Sequence, residues 1–151
     1  MEVHPDWREF LSLLSSHRVK YLLVGAHALA IHGTPRYTGD LEVWVEPTPA
    51  NAKRLHRALV EFGFGSVSGL SVADFARPGQ VIMLGTPPVR IDVLTSISGV
   101  TFATAWKHRL RVKYADKMVN ALGFADLVKN KRAAGRTKDL LDLELLAPPR
   151  R

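Results

Sequence analysis

The sequence predicts a mixed fold, α+β or α/β in class, in which a small mixed β-sheet carries flanking helices and ends in a helical pair. Three observations lead there. Tyr21-Leu22-Leu23-Val24 is a short continuous apolar run bounded by Gly25, the pattern of a strand buried on both faces. Asp40-Leu41-Glu42-Val43-Trp44-Val45 reads as a second strand, and Val81–Leu84 with Val89–Leu94 as a further pair. Between them lie segments whose apolar residues recur at helical spacing.

After Pro5, Trp7, Phe10, Leu11 and Leu14 fall at i, i+3, i+4 and i+7, which gives a helix with one apolar stripe for the core. Ala26 to Ile31 suits a short helix, stopped by Gly33-Thr34-Pro35. Thr48 is an N-cap with Pro49 at the first helical position. Ala52, Leu55, Leu59 and Phe62 then share a face as far as Gly63, while Lys53, Arg54, Arg57 and Glu61 take the other. This is an amphipathic crossover helix lying on a sheet. Residues 63–79 are looser, with a short helix at Val72–Phe75.

Gly85-Thr86-Pro87-Pro88 joins the later strand pair as a tight hairpin. Thr101–His108 is a short helix, and Arg111–Tyr114 with Met118–Leu122 a weak hairpin. Phe124–Ala134 and Thr137–Leu146 are two helices broken by Gly135. Phe124, Leu127 and Val128 are expected on the apolar side of the first, and Leu140, Leu141 and Leu145 facing inward on the second.

At 151 residues and 46% hydrophobic content, the chain suits one domain over 1–151, with a core over about 19–122 and the C-terminal helices over about 123–146. The absence of cysteine excludes disulfides, thiolate zinc sites and cysteine nucleophiles. No apolar run approaches the roughly 20 residues of a membrane span, and the N-terminus lacks a charged-then-apolar pattern. A soluble cytoplasmic protein with no membrane attachment is therefore expected. With 21 basic against 14 acidic residues the net charge is +7, concentrated in Lys107–Lys117 and Lys129–Lys138. That excess suits an anionic partner such as a nucleotide or RNA, or else a solvated basic surface.

Asp40 and Glu42, two apart on a strand, project from one face while Leu41, Val43 and Val45 point to the other. Neighbouring acids repel unless water or a cation compensates them, and hard oxygen ligands suit Mg²⁺ or Mn²⁺. A strand that turns through Gly25 into a helix offers free backbone N–H groups to phosphate, as do many turns that bind nothing. Strand interiors disfavour Asp, so Asp92 either faces a cleft or pairs with a nearby Arg. His27 and His32 lack the His-Glu-x-x-His pattern of a zinc site, and Ser15-Ser16-His17 lacks the strand–nucleophile–helix setting of a hydrolase. Trp44 shares the face of the two acids; a packed core position is the commoner outcome for it than stacking on a base.

The order Val24-Gly25-Ala26, thirteen residues, Asp40-Leu41-Glu42-Val43, and a later strand with Asp92 resembles the nucleotidyltransferase superfamily of the DNA polymerase β type. The fuller run Gly25 to Val45, with His32-Gly33, Arg36 and Thr38, is similar to its AbiEii-like branch. So is Lys131-Arg132-Ala133-Ala134-Gly135-Arg136-Thr137-Lys138-Asp139-Leu140-Leu141-Asp142. The likeness covers roughly residues 20–146. In two places the chain departs from the pattern: Ala26 stands where Gly or Ser is usual, and Glu42 where the close branch generally has Asp.

The resemblance implies a metal-dependent enzyme that moves a nucleoside monophosphate from an NTP to an RNA, tRNA included, or to a small-molecule acceptor, in a toxin–antitoxin setting. It implies Asp40, Glu42 and Asp92 as catalytic residues and ligands of Mg²⁺ or Mn²⁺, with Asp92 assisting deprotonation of the attacking hydroxyl. Gly25, Ala26, Arg36, Thr38 and Lys131 are implied in nucleotide binding, with Lys138 and Asp139 as further candidates. The alternative is a nucleotidyltransferase-fold protein with little or no catalysis, acting as an antitoxin or regulatory partner or as a basic RNA-binding module. At this length the acceptor surface is expected from the C-terminal helices, a second copy in a homodimer, or a cognate partner protein.

Overall fold

A computed structural model of the chain describes residues 3–33, 40–64, 71–86 and 88–146. Among them run α1 (Pro5–Ser16), β1 (Tyr21–Val24), α2 (Gly25–Ile31), β2 (Asp40–Val45), α3 (Pro49–Phe62), α4 (Val72–Phe75), β3 (Val81–Leu84), β4 (Arg90–Leu94), α5 (Phe102–Lys107), β5 (Leu110–Tyr114), β6 (Lys117–Ala121), α6 (Phe124–Ala134) and α7 (Thr137–Leu146). The strands form one six-stranded mixed sheet in the order β3-β4-β2-β1-β6-β5. β1–β2, β3–β4 and β5–β6 are antiparallel, whereas β2–β4 and β1–β6 are parallel.

Strand alternation divides the core between the two faces of this sheet. Leu23, Leu41, Val43, Val45 and Val93 join Phe10, Leu11 and Leu14 of α1 and Leu55 and Leu59 of α3 in one cluster. Leu22, Val24 and Trp44 point the other way, onto Leu29 of α2, Phe102 of α5, Leu127 of α6 and Leu146 of α7. With helices on both faces, β1 is buried at all four positions, which is why it reads as an unbroken apolar run. Trp44 is a core residue, packed edge-to-face on Phe102 with ring centroids 5.0 Å apart. The Thr48 side chain caps α3, and Gly63 ends it in a left-handed conformation at φ 108°. The segment expected as a weak hairpin is a five-pair ladder, and β6 ties it to the sheet beside β1.

The C-terminal helices differ from expectation in part of what they bury: Leu127 of α6 is inside as expected, but charged side chains join it. Phe124 is partly exposed, and Leu140, Leu141 and Leu145 face outward at 52–63% exposure. The buried residues of α6 are Asp126, Leu127 and Lys131, and those of α7 are Asp139, Asp142 and Leu146. The cause is electrostatic. Lys131 Nζ lies 3.3 Å from Asp139 and 3.0 Å from Asp142, and burying these three groups together turns the leucines of α7 to the surface. Among the described residues no helix is long and apolar enough to cross a membrane.

Candidate active site

The acids meet because of the register of three strands. Val24 of β1 pairs with Glu42 of β2, Glu42 with Asp92 of β4, and Asp92 with Met83 of β3, so one row crosses the sheet. In the adjoining row Asp40 pairs with Arg90. All of these side chains share the sheet face that carries Trp44 and Leu94. Asp40 and Glu42 form part of the floor of a cleft of about 620 Å³. Gly25 and Ala26 border it at the end of β1, while α6 and the start of α7 contribute Asn130, Lys131, Arg136 and Lys138.

Gly25 has φ +67°, a left-handed conformation that L side chains rarely adopt, and a Cβ there would fall on the Glu42 carboxylate. Glycine therefore lets the turn and the acid occupy adjacent space. Burial pushes the Glu42 carboxyl above the usual range. The Asp92 and Asp40 carboxylates push the same way, and Lys138 and Lys131 oppose them. Asp92 is also held above the usual range, first by burial, with the Arg90 guanidinium opposing.

Arg90 is the main addition to the expected constellation. Its guanidinium bridges Asp40 at 3.0 Å and Asp92 at 3.0 Å. Of the two alternatives for Asp92 the pairing is the one seen: Asp92 stands beside Glu42 in the row across the sheet, is 8% exposed and is tied to an Arg of its own strand, while the acids lining the cleft are Asp40 and Glu42. Among the described residues no three acidic or imidazole side chains form a ready-made metal site. The donor chemistry still fits a divalent cation. Mg²⁺ is commonly held by one or two carboxylates with substrate phosphates completing its shell, and a cation at Asp40 and Glu42 would relieve the repulsion and desolvation that raise the Glu42 pKa.

Lys131 lines the cleft while its ammonium faces Asp139 and Asp142. Asp139 also receives Arg136 Nε at 2.7 Å, so it anchors the start of α7. Arg36 and Thr38 lie outside the described residues. His32 Nε2 lies 2.8 Å from the Leu122 carbonyl, and His27 is buried against Trp7 and Tyr114, hydrogen-bonded to the Asp40 backbone.

The wall formed by Ser96, Ile97 and Ser98 was not anticipated from sequence. The signal was a Ser-Ile-Ser-Gly run one residue after the Asp92 strand. Asn130 Nδ2 donates to the Ser98 carbonyl at 3.0 Å. A Cβ on Gly99 would come within 2.6 Å of Ala133, so glycine lets this loop pack against α6. One helix thereby fixes both the loop and Lys131.

No protein-family model and no curated protein sequence matches this chain. Solved structures match it in fold. TM1012 from Thermotoga maritima, a proposed nucleotidyltransferase, aligns with a TM-score of 0.62 over 92% of this chain and 88% of that one, at 15% identity. The lincosamide antibiotic adenylyltransferase LnuA, solved with lincomycin bound, aligns with a TM-score of 0.57 over 96% of each chain, at 10% identity. The likeness is one of fold.

Proposed function

From a fold shared with nucleotidyltransferases, we propose that this protein is a metal-dependent nucleotidyltransferase that moves a nucleoside monophosphate from an NTP to an RNA or small-molecule acceptor. The observation that carries this is the meeting of opposite charges in one cleft, Asp40 and Glu42 on its floor and Lys131, Arg136 and Lys138 along its wall. Asp40 and Glu42 would hold Mg²⁺ or Mn²⁺, with Asp92 as the third corner of the acidic set. Bound there, the cation would supply neutralisation of charge on the phosphate oxygens in an in-line displacement. Arg136 and Lys138 attract the triphosphate, and Gly25 and Ala26 let it approach the backbone. Arg36 and Thr38 are assigned to the nucleotide by resemblance. The acceptor oxygen attacks the α-phosphorus, its proton passes to Asp92, and pyrophosphate leaves with the electrons of the broken P–O bond. A raised pKa suits Asp92 to that proton.

The AbiEii-like branch, with a cognate partner protein in a toxin–antitoxin pair, is supported by the run from Lys131 to Asp142. A small-molecule acceptor is supported by the fold shared with a lincosamide adenylyltransferase. The proposed setting is the cytoplasm, alone or as a homodimer. A second reading, a binder with little turnover, is favoured by Arg90, which engages Asp40 and Asp92 with a cation of the protein's own.

The test is to incubate the protein with each α-³²P-labelled NTP, Mg²⁺, and either total tRNA or a panel of hydroxylated small molecules, beside Asp40→Ala. Label transfer lost in Asp40→Ala is the expected result. NTP binding with no transfer to any acceptor favours the second reading, and salt-sensitive RNA binding that survives Asp40→Ala favours an RNA-binding module.

A further inference from the structure

We propose that Val81 and Met83 of β3, with Leu94 of β4, form an acceptor shelf for a small molecule that has an apolar body, a hydroxyl group and no phosphate. The inference rests on the nucleotidyl-transfer reading and specifies its acceptor. In the sheet register Met83 is the cross-strand neighbour of Asp92, and Val81 that of Leu94, on the face that carries Glu42. The row Val24–Glu42–Asp92–Met83 therefore runs from the Gly25 turn, past two acids, to an apolar side chain at the sheet edge. Val81 and Met83 are 59% and 63% exposed, large apolar groups left on the side of the acid that receives the acceptor's proton. Leu94 lines the cleft and Val81 is its cross-strand neighbour, so the shelf begins at the cleft's border.

The distribution of charge selects the class of acceptor. Lys131, Arg136 and Lys138 lie on the α6–α7 wall, the side assigned to the triphosphate. Beside the shelf, the cation carried by β4 is Arg90, already bridging Asp40 and Asp92. Among the described residues of β3 and β4, a polyanionic acceptor laid along β3 would meet carboxylates and apolar surface and no cation beyond the paired Arg90. An uncharged molecule with an apolar body loses little on leaving water and gains the exposed area of Val81 and Met83. Its hydroxyl then lies beside Asp92.

The probe is 2-naphthalenemethanol, titrated into protein carrying ¹³C-methyl methionine, with a six-nucleotide RNA as comparator. Met118, 46% exposed on β6 at the far side of the sheet, is the internal control. The Met83 methyl resonance should shift and saturate while Met118 does not, and Val81→Lys should weaken the Met83 response at least tenfold. Equal movement of both methyls, no saturation, or a larger Met83 response to the RNA would overturn the shelf. A Met83 shift that depends on protein concentration and disappears in Val81→Lys would overturn it too, giving the edge strand to a second copy. ATP binding to the wild-type protein, measured in parallel by calorimetry with Mg²⁺, separates the two ideas. Its absence beside a saturating Met83 response sinks nucleotidyl transfer, and its presence without that response sinks only the shelf.

Discussion

Replacing Lys131 with Met distinguishes a side chain that holds the C-terminal helices together from one that only contacts a nucleotide. The Lys131 side chain is 6% exposed, and its ammonium lies 3.3 Å from Asp139 and 3.0 Å from Asp142, whose side chains are each 1% exposed. Removing one member of a buried ionic cluster typically costs about 3–5 kcal/mol, because the opposite charge stays behind in a poorly solvated place. Arg136 still faces Asp139 in the variant, so the lower end applies and a loss of about 3 kcal/mol is expected. At this chain length that corresponds to a fall in Tm of roughly 6–12 °C. Urea unfolding at pH 7 measures it, with the midpoint moving and the slope held. Adding Asp142→Asn to Lys131→Met should recover part of the loss, since the two residues are coupled. A loss under about 1 kcal/mol, with ATP affinity alone reduced, would refute the anchoring role and return Lys131 to the phosphates.

Gly25→Ala should cost about 1–2 kcal/mol for the left-handed backbone alone. It should also lower Mg²⁺-dependent ATP affinity at least tenfold by displacing Glu42; wild-type binding in this variant would contradict the geometry. For Glu42 the folded pKa lies above the unfolded one. The folded state therefore keeps its proton longer, and stability falls as pH rises from the ordinary carboxylate range through the raised pKa. Glu42→Gln should remove that fall in a pH series of urea midpoints without divalent ions, and Mg²⁺ affinity of the wild type should climb over the same window. His27 behaves in the opposite sense, because burial lowers its pKa to about 4 while the Asp40 backbone opposes. The unfolded chain then binds the extra proton between about pH 6.5 and 4, and stability drops through that window by about 3 kcal/mol in all. A pH profile unchanged in His27→Gln would show that the loss comes from elsewhere.

Elements with a repeating pattern or a cap were readable from sequence to within a residue or two. α1, α3 and the strands belong here, because one face of each is apolar and Thr48, Pro49, Gly63 and Gly135 mark ends. The facing of α7 was not readable in this way. Its buried side is polar, and only the meeting of Lys131 with Asp139 and Asp142 makes those positions tolerable inside; leucine spacing therefore pointed the wrong way. The acids Asp40 and Glu42 were legible as neighbours on one strand. That Glu42 abuts Gly25, and that Arg90 bridges Asp40 and Asp92, depends on strand register, which the order of residues along the chain does not fix. The Ser96–Ser98 wall was hidden for the same reason, since it becomes part of the site only by packing on α6.

Calorimetric titration of ATP into wild-type protein and Asp40→Ala, each with Mg²⁺ and with EDTA, tests the proposed site most directly. Saturable wild-type binding that requires Mg²⁺ and disappears in Asp40→Ala is the predicted result. Equal binding by both proteins in EDTA, or no binding by either with Mg²⁺, would contradict a metal-dependent nucleotide site built on Asp40 and Glu42.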